Sequence, residues 1–150
     1  MRIGYDLDGV LALWTPQDKQ DFRGIKRKSD GERQFYANLL PNKSPILKDC
    51  GVIITSRPQR LYKTTIKWLK EHKIKHKGLY CVGNAKLSDS LKNRIGDKFA
   101  ETEWGFSQAG CKAHKIHQLK LNVFVEDRGD VVVALTLMCP EVNIVHYKEE

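Results

Sequence analysis

The 150-residue chain has no uninterrupted apolar run of membrane-spanning length, no CxxC pair, no glycine-rich phosphate loop and no Ser, His and Asp in the order of a hydrolytic triad. Without a run of about 20 apolar residues there is no candidate transmembrane helix, so no membrane partner is expected. Without CxxC spacing there is no zinc knuckle or dithiol redox motif. Cys50, Cys81, Cys111 and Cys139 are widely spaced, and reduced thiols in a cytoplasmic setting are the economical expectation. Met1-Arg2-Ile3 runs straight into an apolar segment without the pattern of a signal peptide. Internal repeats and low-complexity tracts are also missing, which removes solenoids and disordered arrays from consideration.

What remains has the balance of a globular protein, with 41% hydrophobic and 29% charged residues. The length suits one domain over residues 1–150, with small inserts at about 11–48 and 84–110. A formal charge of +8 draws polyanions and phosphate-bearing ligands toward the surface without saying which. Much of the excess lies in Lys26-Arg27-Lys28 and in Lys63, Lys67, Lys70, Lys73, Lys75 and Lys77. Lysines so spaced form either the solvated face of a helix or a nucleic-acid surface.

Strand and helix patterns alternate along the chain. A first strand is expected over about Arg2 to Leu7. Ser29-Asp30-Gly31-Glu32 fits a capping box for a helix carrying Phe35, Tyr36, Leu39 and Leu40, which Pro41 ends. Gly51 to Ser56 reads as a buried strand, and Arg57-Pro58 as the start of a helix with Tyr62, Ile66 and Leu69 on one stripe beside Leu61, Thr65 and Trp68. Leu79 to Val82 is a third strand, Asn84 to Gly110 a polar, irregular insert, and Lys112 to Lys120 a helix. Asn122 to Val125, a helix near Val131 to Met138 and a strand from Val142 to Tyr147 complete the series. Such alternation predicts an α/β fold with a mainly parallel sheet and helices on both faces.

In sheets of this kind ligands bind outside the carboxyl ends of the strands, and polar residues collect at three such ends. The first strand leads into Asp6 and Asp8, which at i and i+2 project to one side while Leu7 faces the core. Two like charges so close call for a cation or a shared proton; a solvated acidic turn is the plainer reading. The second strand ends in Thr55 and Ser56, and the fourth in Glu126 and Asp127.

The segments DLDGV, VIITSRP, a lysine opening a helix, and FVEDR, in that order over residues 3 to 130, resemble the four motifs of the haloacid dehalogenase (HAD) superfamily. The resemblance implies a Rossmann-like, HAD-type three-layer sandwich with small cap inserts and a Mg²⁺-dependent phosphatase. Asp6 would be the nucleophile of an aspartyl-phosphate intermediate. Asp8 would be the general acid and base. An acid at that position implies a phosphatase over a dehalogenase. Magnesium would take Asp6, the backbone carbonyl of Asp8 and Asp127, with Glu126 either a direct or a water-mediated ligand, since it stands where the family has a second aspartate. Thr55 would hydrogen-bond a phosphoryl oxygen, leaving Ser56 as competitor or as a helix cap beside Pro58. Lys112 would be the catalytic lysine, with Lys115, in the same expected first turn, the alternative. Asp130 either supports the metal shell or caps a helix.

Ser56, Arg57, Trp14 and Tyr36 are candidate substrate contacts, and Arg23, Lys26, Phe35, Trp104 and Phe106 are further specificity candidates. An aromatic here either stacks on a nucleobase or anchors an insert to the core. His114 and His117 have ligand spacing at i and i+3 but no evident third partner. The segments around residues 53–58, 68–69 and 124–128 resemble the nucleotidase-like branch, and the expected partner is a small phosphorylated substrate such as a nucleotide, with nucleic acid the other option. Three functions follow as expectations. These are a 5′- or 3′-nucleotidase, a polynucleotide 3′- or 5′-phosphatase acting on nucleic-acid ends, and a catalytically silent HAD-fold binding module. The first insert is short for a full cap, which suits an open site. The oligomeric state has no signature in the sequence.

Overall fold

The structure, a computed structural model, describes residues 1–42, 51–84 and 97–148, with side chains undescribed over 97–104. The end of the first expected insert, Cys50, residues 85–96 of the second insert and the Trp104 side chain lie outside the described residues.

The described elements alternate as the periodicity predicts: β1 (Ile3–Tyr5), α1 (Pro16–Arg23), α2 (Asp30–Asn38), β2 (Val52–Thr55), α3 (Tyr62–Glu71), β3 (Gly78–Cys81), α4 (Asp97–Gln118), β4 (Val123–Glu126), α5 (Gly129–Met138) and β5 (Asn143–His146). The strands form one parallel sheet in the order β3-β2-β1-β4-β5. The chain therefore builds outward from β1 in one direction, then returns to β1's other side. That return is the topological switch point, where the β1 and β4 ends open a crevice.

Alternate residues of each strand face opposite helical layers, giving a Rossmann-like three-layer α/β fold. Ile53 packs in the cluster that holds Tyr5, Leu7, Trp68 and Leu69. Its neighbour Ile54 packs in the cluster of Phe106, Ala113, Ile116, Phe124 and Leu135. Burial on both faces is why the strands read as near-continuous apolar runs. Trp68, almost fully buried, also donates its indole N–H to the Leu39 carbonyl at 2.8 Å, tying α3 to the end of α2.

Four local expectations are corrected. A 3₁₀ turn at Gln59–Leu61 intervenes after Arg57-Pro58, so α3 begins at Tyr62. The residues from Asp97 belong to α4, a 22-residue helix, so the last part of the supposed irregular insert is helical. Lys112 consequently lies deep inside α4 rather than at its start. At α2, Ser29 accepts from the Glu32 N–H, but the Glu32 carboxylate turns to Arg60 in place of closing the box. The complete capping box instead starts α1, where Thr15 and Asp18 cap each other ahead of Pro16.

Three of the cysteines, Cys81, Cys111 and Cys139, are described and all are free. No helix among the described residues is long and apolar enough to cross a membrane.

Candidate functional site

The β1 ladder extends one step beyond the strand, with the Asp6 N–H donating to Val125 O at 2.8 Å. This fixes Asp6 at the switch point. The chain then turns sharply: the Leu7 carbonyl accepts from the N–H groups of Val10, Leu11 and Ala12, at 3.2, 2.8 and 2.9 Å. Gly9 sits at φ +83 in this turn, and a Cβ there would lie 2.0 Å from Asp127 Oδ2. Only glycine allows both the turn and the approach of the Asp127 carboxylate.

Asp6 and Asp8 both line one cavity of about 680 Å³, yet they take different partners. Asp6, 5% exposed, faces α4. The Lys112 ammonium lies 3.1 Å from Asp6 Oδ1 and 2.7 Å from Glu126 Oε2, with Lys112 and Glu126 essentially inaccessible. Burial alone would lower the Lys112 pKa, but Asp6 and Glu126 outweigh it and hold the ammonium above its ordinary value. Lys115 turns the other way, donating to Gln118 at 2.6 Å and lying over the Tyr80 ring. The reason is register. Phe106, Ala109, Ala113 and Ile116 form the buried stripe of α4, and Lys112 falls beside it.

Asp6, Glu126 and Asp127 each place a carboxylate oxygen within 4.8 Å of the others. Burial, then the Glu126 charge, raises the Asp6 pKa well above the usual carboxylate range. Burial, then Asp6, pushes Asp127 up to about 6. Once all three carboxyls are ionised, as a bound cation would favour, the cluster and its one ammonium carry an excess of two negative charges in a nearly dry place. Asp127 Oδ1 is moreover buried without a hydrogen-bond partner. An orphaned hard oxygen within a cluster short of two positive charges fits a small divalent cation. Glu126 is the least available of the three, because one oxygen is taken by Lys112 and the other faces the Arg128 N–H at 3.4 Å.

Asp8 belongs to a separate, self-neutralised unit. Arg57 donates to both of its oxygens, Nε to Oδ2 at 2.9 Å and one terminal N–H to Oδ1 at 2.6 Å, and the Trp14 indole N–H adds a third bond at 2.9 Å. Arg57 is itself buried, donating to Thr65 Oγ1 at 3.1 Å and lying 4.1 Å from the Tyr36 ring centroid. Burial works against the Arg57 charge, but Asp8 more than compensates and raises its pKa. Thus Arg57, Trp14 and Tyr36, considered from the sequence as substrate contacts, do line the cavity, yet Arg57 and Trp14 act on Asp8 and Tyr36 braces Arg57. Phe35 sits behind them in a cluster with Trp14, Phe22 and Tyr36.

The helix cap expected of Ser56 is not made: neither the 3₁₀ turn nor α3 has a side-chain cap, and Thr55 Oγ1 accepts the Arg57 N–H at 3.2 Å in the turn before them. Ser56 Oγ is buried at the cavity without a partner. Asp130 does not join the carboxylates: the Arg128 guanidinium takes both its oxygens, and Oδ1 also accepts the Val131 N–H at 2.9 Å in the first turn of α5, whose N-cap position is held by Arg128. Phe106 is fully buried core. His114 is exposed, and His117 pairs with Glu141, so the two share no ligand geometry.

The cavity lining that sequence reasoning passed over includes Lys19, Phe22, Arg27, Glu32 and Arg60. Glu32 is buried and bound at both oxygens by Arg60. The Thr15-Pro16-Gln17-Asp18 box, a legible signal, would have located the helix that carries Lys19 and Phe22.

No family model and no curated protein matches the chain. Among solved structures it is similar to a chain of the Pnkp1/Rnl/Hen1 RNA repair complex, with TM-score 0.56 and 16% identity over 97% of this chain and 42% of that one. A second structure of the Pnkp1/Rnl/Hen1 complex contains a chain similar at TM-score 0.55 and 15% identity, over 97% of this chain and 45% of its own. This chain thus spans less than half the length of the chains it resembles, and at such identities what they share is the fold.

Proposed function

We propose that the protein is a magnesium-dependent phosphomonoester hydrolase of the HAD type, working through an aspartyl-phosphate. The observation that carries this reading is the cluster of Asp6, Glu126 and Asp127 around the single Lys112 ammonium, with Asp8 held separately beside it. A carboxylate nucleophile approaches an anionic phosphate only where the local charge is offset, and phosphoryl transfer rests mainly on positioning and neutralisation. Asp6, Asp127 and the Asp8 backbone carbonyl would hold Mg²⁺, with Glu126 orienting Lys112. The bound ion would supply the missing charge and draw the phosphoryl oxygens toward Asp6.

An Asp6 oxygen attacks phosphorus as the ester P–O bond breaks, and Asp8, which must enter this step carrying a proton, gives it to the leaving oxygen. Asp8 then takes a proton from the water that displaces phosphate from Asp6, restoring both carboxyl groups. Arg57 and Trp14 hold the Asp8 carboxyl in place for both transfers. Lys112 offsets charge at Asp6. The Thr55 hydroxyl, which accepts from the Arg57 N–H and keeps its own proton, and the unpartnered Ser56 hydroxyl are the donors for phosphoryl oxygens.

A nucleotide is the lead substrate. The second reading, a phosphatase acting on nucleic-acid ends, is favoured by the RNA repair complex that contains the structurally similar chain and by the +8 charge. A panel of nucleoside 5′- and 3′-monophosphates, sugar phosphates and oligonucleotides phosphorylated at either end separates these readings. Phosphate release that needs Mg²⁺ and stops with chelator is expected. Turnover undiminished in chelator would remove the metal, and silence toward every substrate would favour the binding-module alternative.

A further inference from the structure

Resting on the phosphomonoesterase reading, we propose that the cavity carries a second subsite: a planar platform, Arg27 laid on Phe22, that stacks the nucleobase of the leaving group. The cavity of about 680 Å³ is far larger than a phosphoryl group needs, and it falls in the range of sites for whole small molecules. Beyond the carboxylates it is lined by Lys19, Phe22, Arg27, Glu32 and Arg60.

Arg27 is held flat. Its guanidinium carbon lies 3.8 Å from the Phe22 ring centroid. One terminal nitrogen donates to Ile25 O at 3.0 Å and to Phe22 O at 3.4 Å, and Nε lies 4.0 Å from Glu32 Oε2. Phe22 is fixed in turn, its centroid 5.3 Å from that of Trp14 and 5.1 Å from that of Phe35. With its guanidinium carbon over Phe22 and one nitrogen tied to carbonyls, the Arg27 side chain is still 50% exposed and lines the cavity.

Among the described residues the other cations lining the cavity do not offer an exposed, ring-backed plane; Arg57 lies over Tyr36 but its side chain is only 1% exposed. Arg57 is bound to Asp8, Arg60 to Glu32, Arg128 to Asp130, and Lys112 is buried. Lys19 is exposed but carries a compact ammonium. A guanidinium plane accepts the π-face of any base, whereas an ammonium offers only charge. Because rigid aromatics already hold the platform, stacking on it orders no further side chain.

Binding tests the platform without requiring turnover. Calorimetry on Asp6→Asn protein would compare adenosine monophosphate with base-free ribose phosphate, and each with Arg27→Lys and Lys19→Gln added. The platform predicts that adenosine monophosphate binds about tenfold more tightly than ribose phosphate, the scale of one base–plane stack. Arg27→Lys, which keeps the charge and loses the plane, removes most of that preference with an unchanged melting midpoint. Lys19→Gln weakens both ligands alike. Equal binding of the two ligands, or an equal loss for both in Arg27→Lys as a phosphate contact would give, overturns the proposal. Turnover is read separately on protein with Asp6 intact. Hydrolysis without base preference keeps the hydrolase reading and removes the platform, while base preference without hydrolysis does the reverse.

Discussion

At the scale of single residues, the site divides into two electrostatic units that the sequence shows as one pair of neighbouring acids. Asp8 is balanced by Arg57, so its substitution should affect chemistry more than binding. Asp8→Asn is expected to lower kcat by roughly 10²- to 10⁴-fold, the usual range for a lost general acid–base group, with KM little changed. Steady-state kinetics at saturating Mg²⁺ check this, and a loss confined to KM would contradict it. Asp6 and Asp127 are unbalanced, and their raised pKa values make a stability prediction. A carboxyl whose folded pKa is raised holds its proton longer in the folded state than in the unfolded one. The stability this contributes is full below the ordinary carboxylate value of about 4 and is lost as pH rises through about 6 for Asp127. In chelator the melting midpoint of the wild type should therefore fall relative to that of Asp127→Asn between pH 4 and 7. Parallel profiles would contradict the assignment. Saturating Mg²⁺ should erase the difference in slope, because ligation requires the deprotonated carboxylates.

At the scale of elements, the turn after β1 and the docking of α2 hold the site together. Gly9→Ala places a Cβ 2.0 Å from Asp127 Oδ2 at a positive φ, so it should cut Mg²⁺ affinity strongly while the sheet stays folded. Calorimetric titration with Mg²⁺ beside a circular dichroism spectrum reads both. Glu32→Ala removes the charged hydrogen bonds that tie α2 to Arg60 and should cost about 2 kcal/mol. For a chain of this length that amounts to roughly 4–8 °C in the melting midpoint; a shift under 1 °C would show that the helix is held elsewhere. The strands and α3 were legible because fully apolar runs and a 3.6-residue stripe are local signals. Lys112 was legible as a residue but not as a position. Its place inside α4 depends on Phe106, Ala109, Ala113 and Ile116 packing against the sheet, which the polar residues before Gly110 obscure. The Arg57–Asp8 pair spans 49 positions and Glu32–Arg60 spans 28, and no local pattern encodes either.

At the scale of the whole molecule, strand order places three carboxylates from the ends of β1 and β4 around one lysine from α4, and the charge left over is that of a divalent ion. Mg²⁺ at 100 times its Kd should then stabilise the fold by about 2.7 kcal/mol, or roughly 5–10 °C. If nucleic-acid ends are the substrate, oligonucleotide affinity will also fall steeply with salt, by a slope that counts the phosphates contacted. A flat dependence would return the weight to free nucleotides. The central claim, that Asp6 carries the phosphoryl group, is tested most directly by acid-quenching the protein during turnover of a substrate labelled in its phosphate. The account predicts label that survives acid denaturation, is released by hydroxylamine as an acyl phosphate is, maps to the peptide containing Asp6 and is absent in Asp6→Asn. Turnover with no label on the protein, or phosphate release by Asp6→Asn at the wild-type rate, would contradict it.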